Sequence, residues 1–299
     1  MAVRFAAVVV LAVFAATIAA RAGTTVESAD ISAYRGLGTW VDIYSASFRA
    51  DPNDLMAQIA ARGVQTLFVE TGNYRQRVDL VRRQQLRALI DAAHARGVAV
   101  VAWYLPALTN SASDLRRALA AVNLVSADGD RFDAFALDIE ASVVRDPAER
   151  TRRLLALSKR LRAAVGAGYP LGAIIPSPVG MKLLPHYWPG FPYAALARTY
   201  DVVLPMAYFT YRAHSAAAVR DYVQRGVAII RDESGDSSVP IHVIGGLAEG
   251  TGTRDAAAFL AATAASGVAG FSLYDFAATK PAVWPLLRQA AAAQFRAAG

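Results

Sequence analysis

Short apolar runs, rich in β-branched and aromatic residues, alternate along this chain with longer segments of helical periodicity. Eight of these runs have the length and composition of buried strands. They cover residues 38–44, 64–70, 98–104, 135–140, 171–176, 202–208, 241–247 and 268–274. Because the runs are almost continuously apolar, they fit parallel strands whose sheet is covered by helices. Eight strand-and-helix units in about 250 residues predict a (β/α)8 TIM barrel in a single α/β domain.

Helix start and stop signals separate the predicted strands. Asp51 with Pro52, and Asp146 with Pro147, each combine a capping side chain with a residue suited to the first helical position. Gly97 marks the end of another helical segment, as glycine commonly does. The main alternative fold, a doubly wound sheet, would carry a G-x-G-x-x-G loop after its first strand. Residues 45–48 read Ser-Ala-Ser-Phe, so the pattern favours the barrel.

The first 22 residues have the layout of a secretory signal peptide. Arg4 supplies a positive charge, residues 5–20 form an unbroken apolar run, and Ala20 and Ala22 frame an A-x-A cleavage pattern. An uncleaved membrane anchor is the alternative, although the run is short for a span of about 20 residues. We expect cleavage after Ala22, with residues 23–299 forming the barrel domain and residues 23–37 leading into its first strand.

Composition narrows the class of protein and of site. The chain has 55% hydrophobic and 18% charged residues, which excludes a disordered chain. It has no cysteine, and this excludes thiol nucleophiles and cysteine-based metal sites. Export without a disulfide framework favours a bacterial protein that is secreted or held in the cell envelope.

The positive charge does not point to a particular partner. The formal net charge of +7 falls to +5 once Arg4 and Arg21 leave with the signal peptide. The remaining arginines are spread over the predicted helices, as on an ordinary solvated outer face. We therefore expect no nucleic-acid partner, no membrane span after cleavage, and a monomer. The four histidines lack metal-ligand spacing, so we also expect no metal and no cofactor.

The predicted strands end in acidic and aromatic residues. In a barrel the active site lies at the carboxyl ends of the strands. Aromatic rings stack on sugars, and carboxylates bind hydroxyl groups or exchange protons with a glycosidic oxygen, so this composition predicts a carbohydrate site. The candidate substrate-binding residues are Asp42, Glu70, Trp103, Tyr104, Tyr208, Tyr274 and Asp275.

Asp138 and Glu140, at the end of the fourth predicted strand, are the candidate catalytic residues. Being two apart, they share a face, whereas Phe135, Leu137 and Ile139 face the helices. Two carboxylates this close are coupled, so one should ionise while the pKa of the other rises, as a general acid requires. The alternative is that one or both form ion pairs with basic residues of neighbouring loops.

Two segments resemble a known family. Residues 133–140 read D-A-F-A-L-D-I-E and resemble the strand-four signature D-G-x-D-x-D-x-E of family-18 glycoside hydrolases, the chitinase-like barrels. Residues 206–209 read M-A-Y-F and resemble the strand-six M-x-Y-D of that family. The short D-x-E, together with Asp42 on strand one, is equally similar to family-25 lysozyme-like barrels. Either resemblance implies a glycosidase-type barrel.

The family-18 resemblance implies roles for three residues. Glu140 would be the general acid/base, Asp138 would orient the N-acetyl group of the substrate, and Tyr208 would support the reacting sugar. Two positions depart from the pattern, because Ala136 replaces the middle acid of the signature and Phe209 replaces the strand-six acid. Both departures bear on substrate-assisted catalysis with an N-acetyl sugar.

Three functions are compatible with this sequence. The first is a secreted glycoside hydrolase that acts on a polysaccharide or cell-wall glycan by carboxylate acid/base catalysis. The second is a non-catalytic glycan-binding barrel. The third is an envelope scaffold in which Asp138 and Glu140 form salt bridges out of reach of solvent. The long loop over residues 176–192, with five prolines, either walls a binding groove or covers the barrel mouth.

Overall fold

The computed structural model describes residues 29–295. The predicted signal peptide, residues 1–22, lies outside the described residues, as does part of the predicted leader. Within the described part of that leader, residues 32–34 form a short turn of 3₁₀ helix, and the first strand begins at Gly36, two residues earlier than predicted. No helix within residues 29–295 is both long and apolar enough to cross a bilayer.

Eight strands form one parallel sheet in the described part of the chain. They are β1 (Gly36–Val41), β2 (Thr66–Asn73), β3 (Ala99–Leu105), β4 (Ala134–Asp138), β5 (Leu171–Ile175), β6 (Val202–Pro205), β7 (His242–Leu247) and β8 (Gly270–Tyr274). Their spatial order is β6-β5-β4-β3-β2-β1-β8-β7. Parallel bridges from Val203 to Ile241 and from Met206 to Ile244 join β6 to β7 and close the barrel. The predicted (β/α)8 barrel is confirmed, and each predicted run overlaps one strand.

The helices surround this barrel. Within residues 29–295 they are α1 (Pro52–Ala61), α2 (Arg83–His94), α3 (Ser111–Val122), α4 (Pro147–Val165), α5 (Pro178–Leu183), α6 (Tyr193–Thr199), α7 (Ala216–Ser234), α8 (Thr253–Ser266) and α9 (Trp284–Gln294). The predicted caps are confirmed at two of them. The Asp51 carboxylate accepts a hydrogen bond from the amide of Asn53, and the Asp146 carboxylate accepts one from the amide of Ala148.

The interior of the barrel is filled from below by a hydrogen-bonded stack. The Trp40 indole N–H donates to Ser272 Oγ at 2.8 Å, and Ser272 Oγ lies 3.0 Å from His242 Nε2. His242 Nδ1 lies 2.8 Å from the carbonyl oxygen of Tyr34, which can only accept, so Nδ1 carries the proton. Burial lowers the pKa of His242 to about 4, and the imidazole is neutral. His242 is thus an interior residue whose two ring nitrogens both have hydrogen-bond partners.

Trp40 forms the top of this filled layer. Its ring stacks on Phe68 with centroids 4.3 Å apart, and it is 2% exposed. Gly270 makes room at the bottom, since a Cβ there would lie 2.4 Å from the carbonyl oxygen of Tyr34. The open part of the barrel therefore lies above Trp40, at the carboxyl ends of the strands.

Two segments differ from their predicted form in ways that matter for the site. β4 ends at Asp138 rather than at Glu140, although the amide of Ile139 still donates to the carbonyl of Ile174 at 2.8 Å. The predicted loop over residues 176–192 contains the helix α5, which begins at Pro178 and is capped by the Ser177 hydroxyl. Proline at the first helical position is favourable, so the proline-rich composition here starts a helix as well as stiffening a loop.

Candidate functional site

A pocket of about 310 Å³ opens at the carboxyl ends of the strands. The walls are built by residues from seven of the eight predicted strand runs, together with residues that lie just beyond two of these runs. The lining residues are Asp42, Tyr44, Glu70, Asn73, Arg75, Trp103, Leu105, Asp138, Glu140, Met206, Tyr208, Leu247 and Tyr274. We call this space the first lobe. Seven of the nine predicted site residues contribute to it.

Asp138 and Glu140 both face the first lobe, as their spacing predicted. Asp138 is 6% exposed, and its Oδ1 atom has no hydrogen-bond partner within residues 29–295. Glu140 lies just beyond β4 with its side chain exposed to the lobe. Neither carboxylate forms an ion pair with any described residue. The scaffold hypothesis expected such pairs, and it loses that support.

Burial and neighbouring charges shift the pKa values of both carboxyl groups of this pair. Burial raises the pKa of Asp138 well above its usual range, and the negative charges of Glu140 and Glu70 raise it further. The pKa of Glu140 is also raised, because protein surrounds much of the side chain even though solvent reaches it, and Arg75 opposes this effect. The pair can therefore hold a proton at a pH where an ordinary carboxyl group is ionised.

Glu70 is held at the floor of the lobe by a bulge in β2. The register of β2 against β3 shifts between Glu70 and Gly72, so Asn73 returns to the same side as Glu70. Asn73 Nδ2 then donates to Glu70 Oε1 at 2.9 Å, and the amide of Ile43 donates to Glu70 Oε2 at 3.1 Å. Burial nevertheless raises the pKa of Glu70 to about 7. Glu70 thus titrates near neutral pH.

Asp42 closes the lobe on the side of β1 and β8. The Tyr274 hydroxyl donates to Asp42 Oδ2 at 2.9 Å, while the amides of Tyr44 and Ser45 donate to Asp42 Oδ1 at 2.7 and 2.9 Å. Both carboxylate oxygens of Asp42 are therefore engaged by the protein. The Tyr44 hydroxyl accepts a hydrogen bond from Asn73 Nδ2 and links this wall to Glu70.

Aromatic side chains complete the lobe. Trp103 is 6% exposed and its indole Nε1 has no partner within the described chain, so this donor is available to a ligand that reaches it. The rings of Tyr208 and Tyr274 lie 6.2 Å apart across the mouth. Trp103, Tyr208 and Tyr274 line the lobe, and Trp40 fills the layer beneath it.

A second, smaller lobe continues the cleft. It measures about 170 Å³ and shares Glu140, Met206 and Tyr208 with the first lobe. Its other lining residues are Pro176, Ser177, Tyr211, Arg212 and Tyr222. The start of the 176–192 segment therefore does wall the cleft, whereas Trp188 and Phe191 are buried against neighbouring side chains. Glu140 stands at the junction of the two lobes.

The far end of that segment reaches back to Glu140. The Tyr187 hydroxyl donates a hydrogen bond to the main-chain carbonyl of Glu140. Arg150, which is 2% exposed, donates to the carbonyl of Tyr187 at 2.5 Å and lies 4.1 Å from the ring centre of Trp188. The backbone around Glu140 is thus held by two hydrogen bonds, one from the Ile139 amide to the Ile174 carbonyl and one from the Tyr187 hydroxyl to the Glu140 carbonyl.

Two predicted site residues do not reach the cleft. Tyr104 is completely buried and points toward the helices, where its hydroxyl donates to Asp114 Oδ1 at 2.7 Å. The reason is strand alternation, because Trp103 faces the interior and its neighbour must face outward. Asp275 follows β8 and caps a turn by accepting from the amide of Ala278 at 2.9 Å, and it lines neither lobe. Neither residue lines the cleft in this structure, and a substrate contact by either stays a prediction.

The positions that carry the family resemblance lie in different surroundings, and only some of them face the cleft. Asp133, its first acid, is at the other end of β4 and accepts a hydrogen bond from the amide of Val100 at 2.6 Å. Ala136 is buried in the barrel interior, so no carboxylate occupies the level below Asp138. Phe209 is buried against Phe259, 5.8 Å between ring centres, and points away from the cleft.

Sequence reasoning missed several residues of the cleft. Asn73 and Arg75 follow Glu70 by three and five positions, and only the bulge at Gly72 brings Asn73 to the site. The glycine after an acidic strand end was the available signal for that bulge. Met206 was singled out only by the family resemblance, and Arg212 by nothing. In the described residues, no group of three or more histidine or acidic side chains is arranged to hold a metal ion.

Comparison with known proteins establishes the fold. No protein-family model matches the chain, and no curated protein matches it in sequence. An endo-1,4-β-mannanase from Rhizomucor miehei superposes with a TM-score of 0.65 at 9% identity, over 87% of this chain and 94% of that one. A chitinase from Chromobacterium violaceum gives 0.59 at 15%, over 87% and 100%. The spore cortex-lytic enzyme SleL from Bacillus cereus gives 0.62 at 10%, over 88% and 74%.

At sequence identities of 9–15%, these similarities show a shared fold. The chain has the barrel fold of these hydrolases. The glycosidase-type barrel that the sequence resemblance implied is thus confirmed as a fold.

Proposed function

We propose that this protein is an exported glycoside hydrolase that cleaves a polysaccharide or cell-wall glycan, with Glu140 as its general acid. The observation that carries the proposal is the pair Asp138 and Glu140. They lie without ion-pair partners among the described residues, in a cleft at the carboxyl ends of the barrel strands, where burial raises both pKa values. A carboxyl group with a raised pKa is the group that glycosidic cleavage requires.

The position of Glu140 between two lobes fits this role. A sugar in each lobe would place the bond between them beside the Glu140 carboxyl group. Glu140 would donate its proton to the glycosidic oxygen as the carbon–oxygen bond breaks, and the leaving sugar would depart as a neutral alcohol. Water would then add to the anomeric carbon and give up its proton to a carboxylate of the cleft.

The other side chains have roles that follow from their positions. Asp138, buried and without a partner on Oδ1, would accept a hydrogen bond from the sugar in the first lobe. Tyr208 is shared by both lobes and would support the reacting ring. Glu70, which titrates near neutral pH, is the second carboxyl group available for proton transfer or for stabilising positive charge at the anomeric carbon.

Hydrolysis of a glycan panel by purified residues 23–299 tests the proposal. The panel should include mannan, chitin and peptidoglycan, with release of reducing ends as the readout. We expect one of them to be cleaved and Glu140→Gln to lower the rate by about 10²–10⁴-fold. Glu249→Gln is the matched control, because Glu249 is exposed at the same rim and lines neither lobe. Equal rates for wild type and Glu140→Gln would disprove the assignment.

A non-catalytic glycan-binding barrel is the second candidate. Ala136 and Phe209, which place no carboxylate in the cleft, favour it. This function predicts heat of binding with an oligosaccharide in calorimetry and no new reducing ends after prolonged incubation. Turnover that depends on Glu140 would exclude it.

A further inference from the structure

The first lobe is lined by far more negative than positive groups. Four carboxylates face it, and Arg75 is the single lysine or arginine among its lining residues. Arg75 is exposed at the rim, where its Nε donates to the Tyr74 hydroxyl at 3.3 Å, and no pocket carboxylate lies within ion-pair distance of it. Within residues 29–295, the charge of this lobe is therefore not balanced by an ion pair.

The four carboxylates are not equivalent. Both oxygens of Asp42 and of Glu70 accept hydrogen bonds from protein donors. Asp138 and Glu140, which also line the lobe, accept no side-chain hydrogen bond from residues 29–295, and Asp138 Oδ1 is buried without a partner there. An unpaired buried carboxylate oxygen is costly, and such groups are found where a ligand supplies the missing donor.

We propose that the first lobe recognises a sugar that carries a free amine, in its ammonium form, with the nitrogen donating to Asp138. This inference rests on the proposed function and names its substrate class. An ammonium group brings three donors and a positive charge to a place that offers acceptors and negative charge. A hydroxyl group brings no charge, and an acetylated amine brings one N–H with an apolar methyl group.

The titration of the cleft agrees with this geometry. Repulsion from neighbouring carboxylates contributes to the raised pKa values of Glu70 and Asp138, and Glu70, with a pKa of about 7, is partly protonated at neutral pH. A bound ammonium would favour the ionised carboxylates and would lower those pKa values. Below the pKa of the sugar amine, where the free amine already carries its proton, binding should therefore release protons, and a neutral sugar should release far fewer.

Calorimetry with three matched tetrasaccharides tests the inference. The β-1,4-linked tetramers of glucosamine, N-acetylglucosamine and glucose share a backbone and differ at one substituent of each ring. Titrations use the Glu140→Gln protein, so that turnover does not interfere, in two buffers of different ionisation enthalpy. We expect the glucosamine tetramer to bind at least about tenfold more tightly than the other two, with proton release that they lack.

Two further variants in the same background separate the Asp138 contact from general charge. Asp138→Asn should remove most of the preference for the amine. Asp128→Asn removes an equal charge at the opposite end of the barrel, where Asp128 is exposed, and should leave the preference unchanged. Tighter or equal binding of the acetylated or neutral tetramer would overturn the inference while leaving the proposed function intact. Failure of all three to bind would also overturn the inference, whereas the proposed function is decided separately by hydrolysis of the glycan panel.

Discussion

The contact between Tyr187 and the backbone of Glu140 makes the sharpest prediction, because it joins two segments 47 residues apart. After Ile139 the chain leaves the sheet and has no regular structure until α4, so the Tyr187 hydroxyl is what restrains the main chain at the proposed acid. Burial raises the pKa of Tyr187 to about 12, which keeps this hydroxyl protonated and donating under any working condition. Tyr187→Phe removes the donor and keeps the ring.

The size of the effect follows from two different costs. Loss of one hydrogen bond lowers the free energy of unfolding by about 0.5–1.5 kcal/mol, and the Glu140 carbonyl is close enough to solvent to be rehydrated. Displacement of a catalytic group by 1 Å can cost about 10²-fold in rate. We therefore expect kcat to fall about 10- to 100-fold, with KM nearly unchanged and a melting temperature lowered by only a few degrees.

The assay is steady-state hydrolysis of the best substrate from the panel, measured across pH. A freed Glu140 is better solvated, so its raised pKa should move down toward the ordinary value and the basic limb of the rate profile should shift to lower pH. Tyr193→Phe is the matched control, because the Tyr193 hydroxyl is buried in the same region and has no hydrogen-bond partner within residues 29–295. An unchanged kcat and pH profile in Tyr187→Phe would refute the proposed restraint.

Three further predictions concern stability. Glu70 has a pKa of about 7 in the folded protein against 4.5 for a free carboxyl group, so it binds more protons in the folded state. Its contribution to the free energy of unfolding therefore falls as the pH rises between these values. Chemical denaturation should show the stability of wild type relative to Glu70→Gln dropping by about 3 kcal/mol across that range; a constant difference would contradict it. His242 has a pKa of about 4 in the folded protein against 6.5 for a free imidazole, so its effect on stability has the opposite sign. Relative to His242→Gln, the free energy of unfolding of wild type should fall by about 3 kcal/mol as the pH drops through that range. A constant difference would exclude a neutral buried imidazole. Tyr104→Phe breaks a buried bond to Asp114 outside the cleft, so it should cost about 1–3 kcal/mol of stability at unchanged kcat/KM, and a raised KM would restore Tyr104 to the site.

Strand alternation explains what sequence analysis predicted and what it misplaced. The period of two put Asp138 and Glu140 on the cleft side and Phe135 and Leu137 against the helices, as observed. The same rule places Trp103 and Tyr104 on opposite sides of β3. The prediction that both neighbours belong to the site did not apply this rule. Positions inside a regular strand are therefore predictable from local sequence.

The unpredicted parts of the site depend on irregular backbone and on distant contacts. Asn73 reaches Glu70 only because β2 is bulged, and a bulge is fixed by pairing with β3 rather than by the sequence of one strand. Tyr187 reaches Glu140 because Arg150 and Trp188 pack beneath it, which no local pattern reveals. Both features arise from tertiary packing, which a single sequence does not show.

The leaving-group dependence of Glu140→Gln tests the central claim most directly. A general acid is needed when the departing oxygen is a poor leaving group, and much less when it departs readily as a stabilised anion. Rates are compared between the natural glycan and an activated aryl glycoside of the same sugar, for wild type and Glu140→Gln. We predict a loss of about 10²–10⁴-fold on the glycan and a rate close to wild type on the aryl glycoside. An equal loss on both substrates, or no loss on either, would contradict the assignment of Glu140 as the acid.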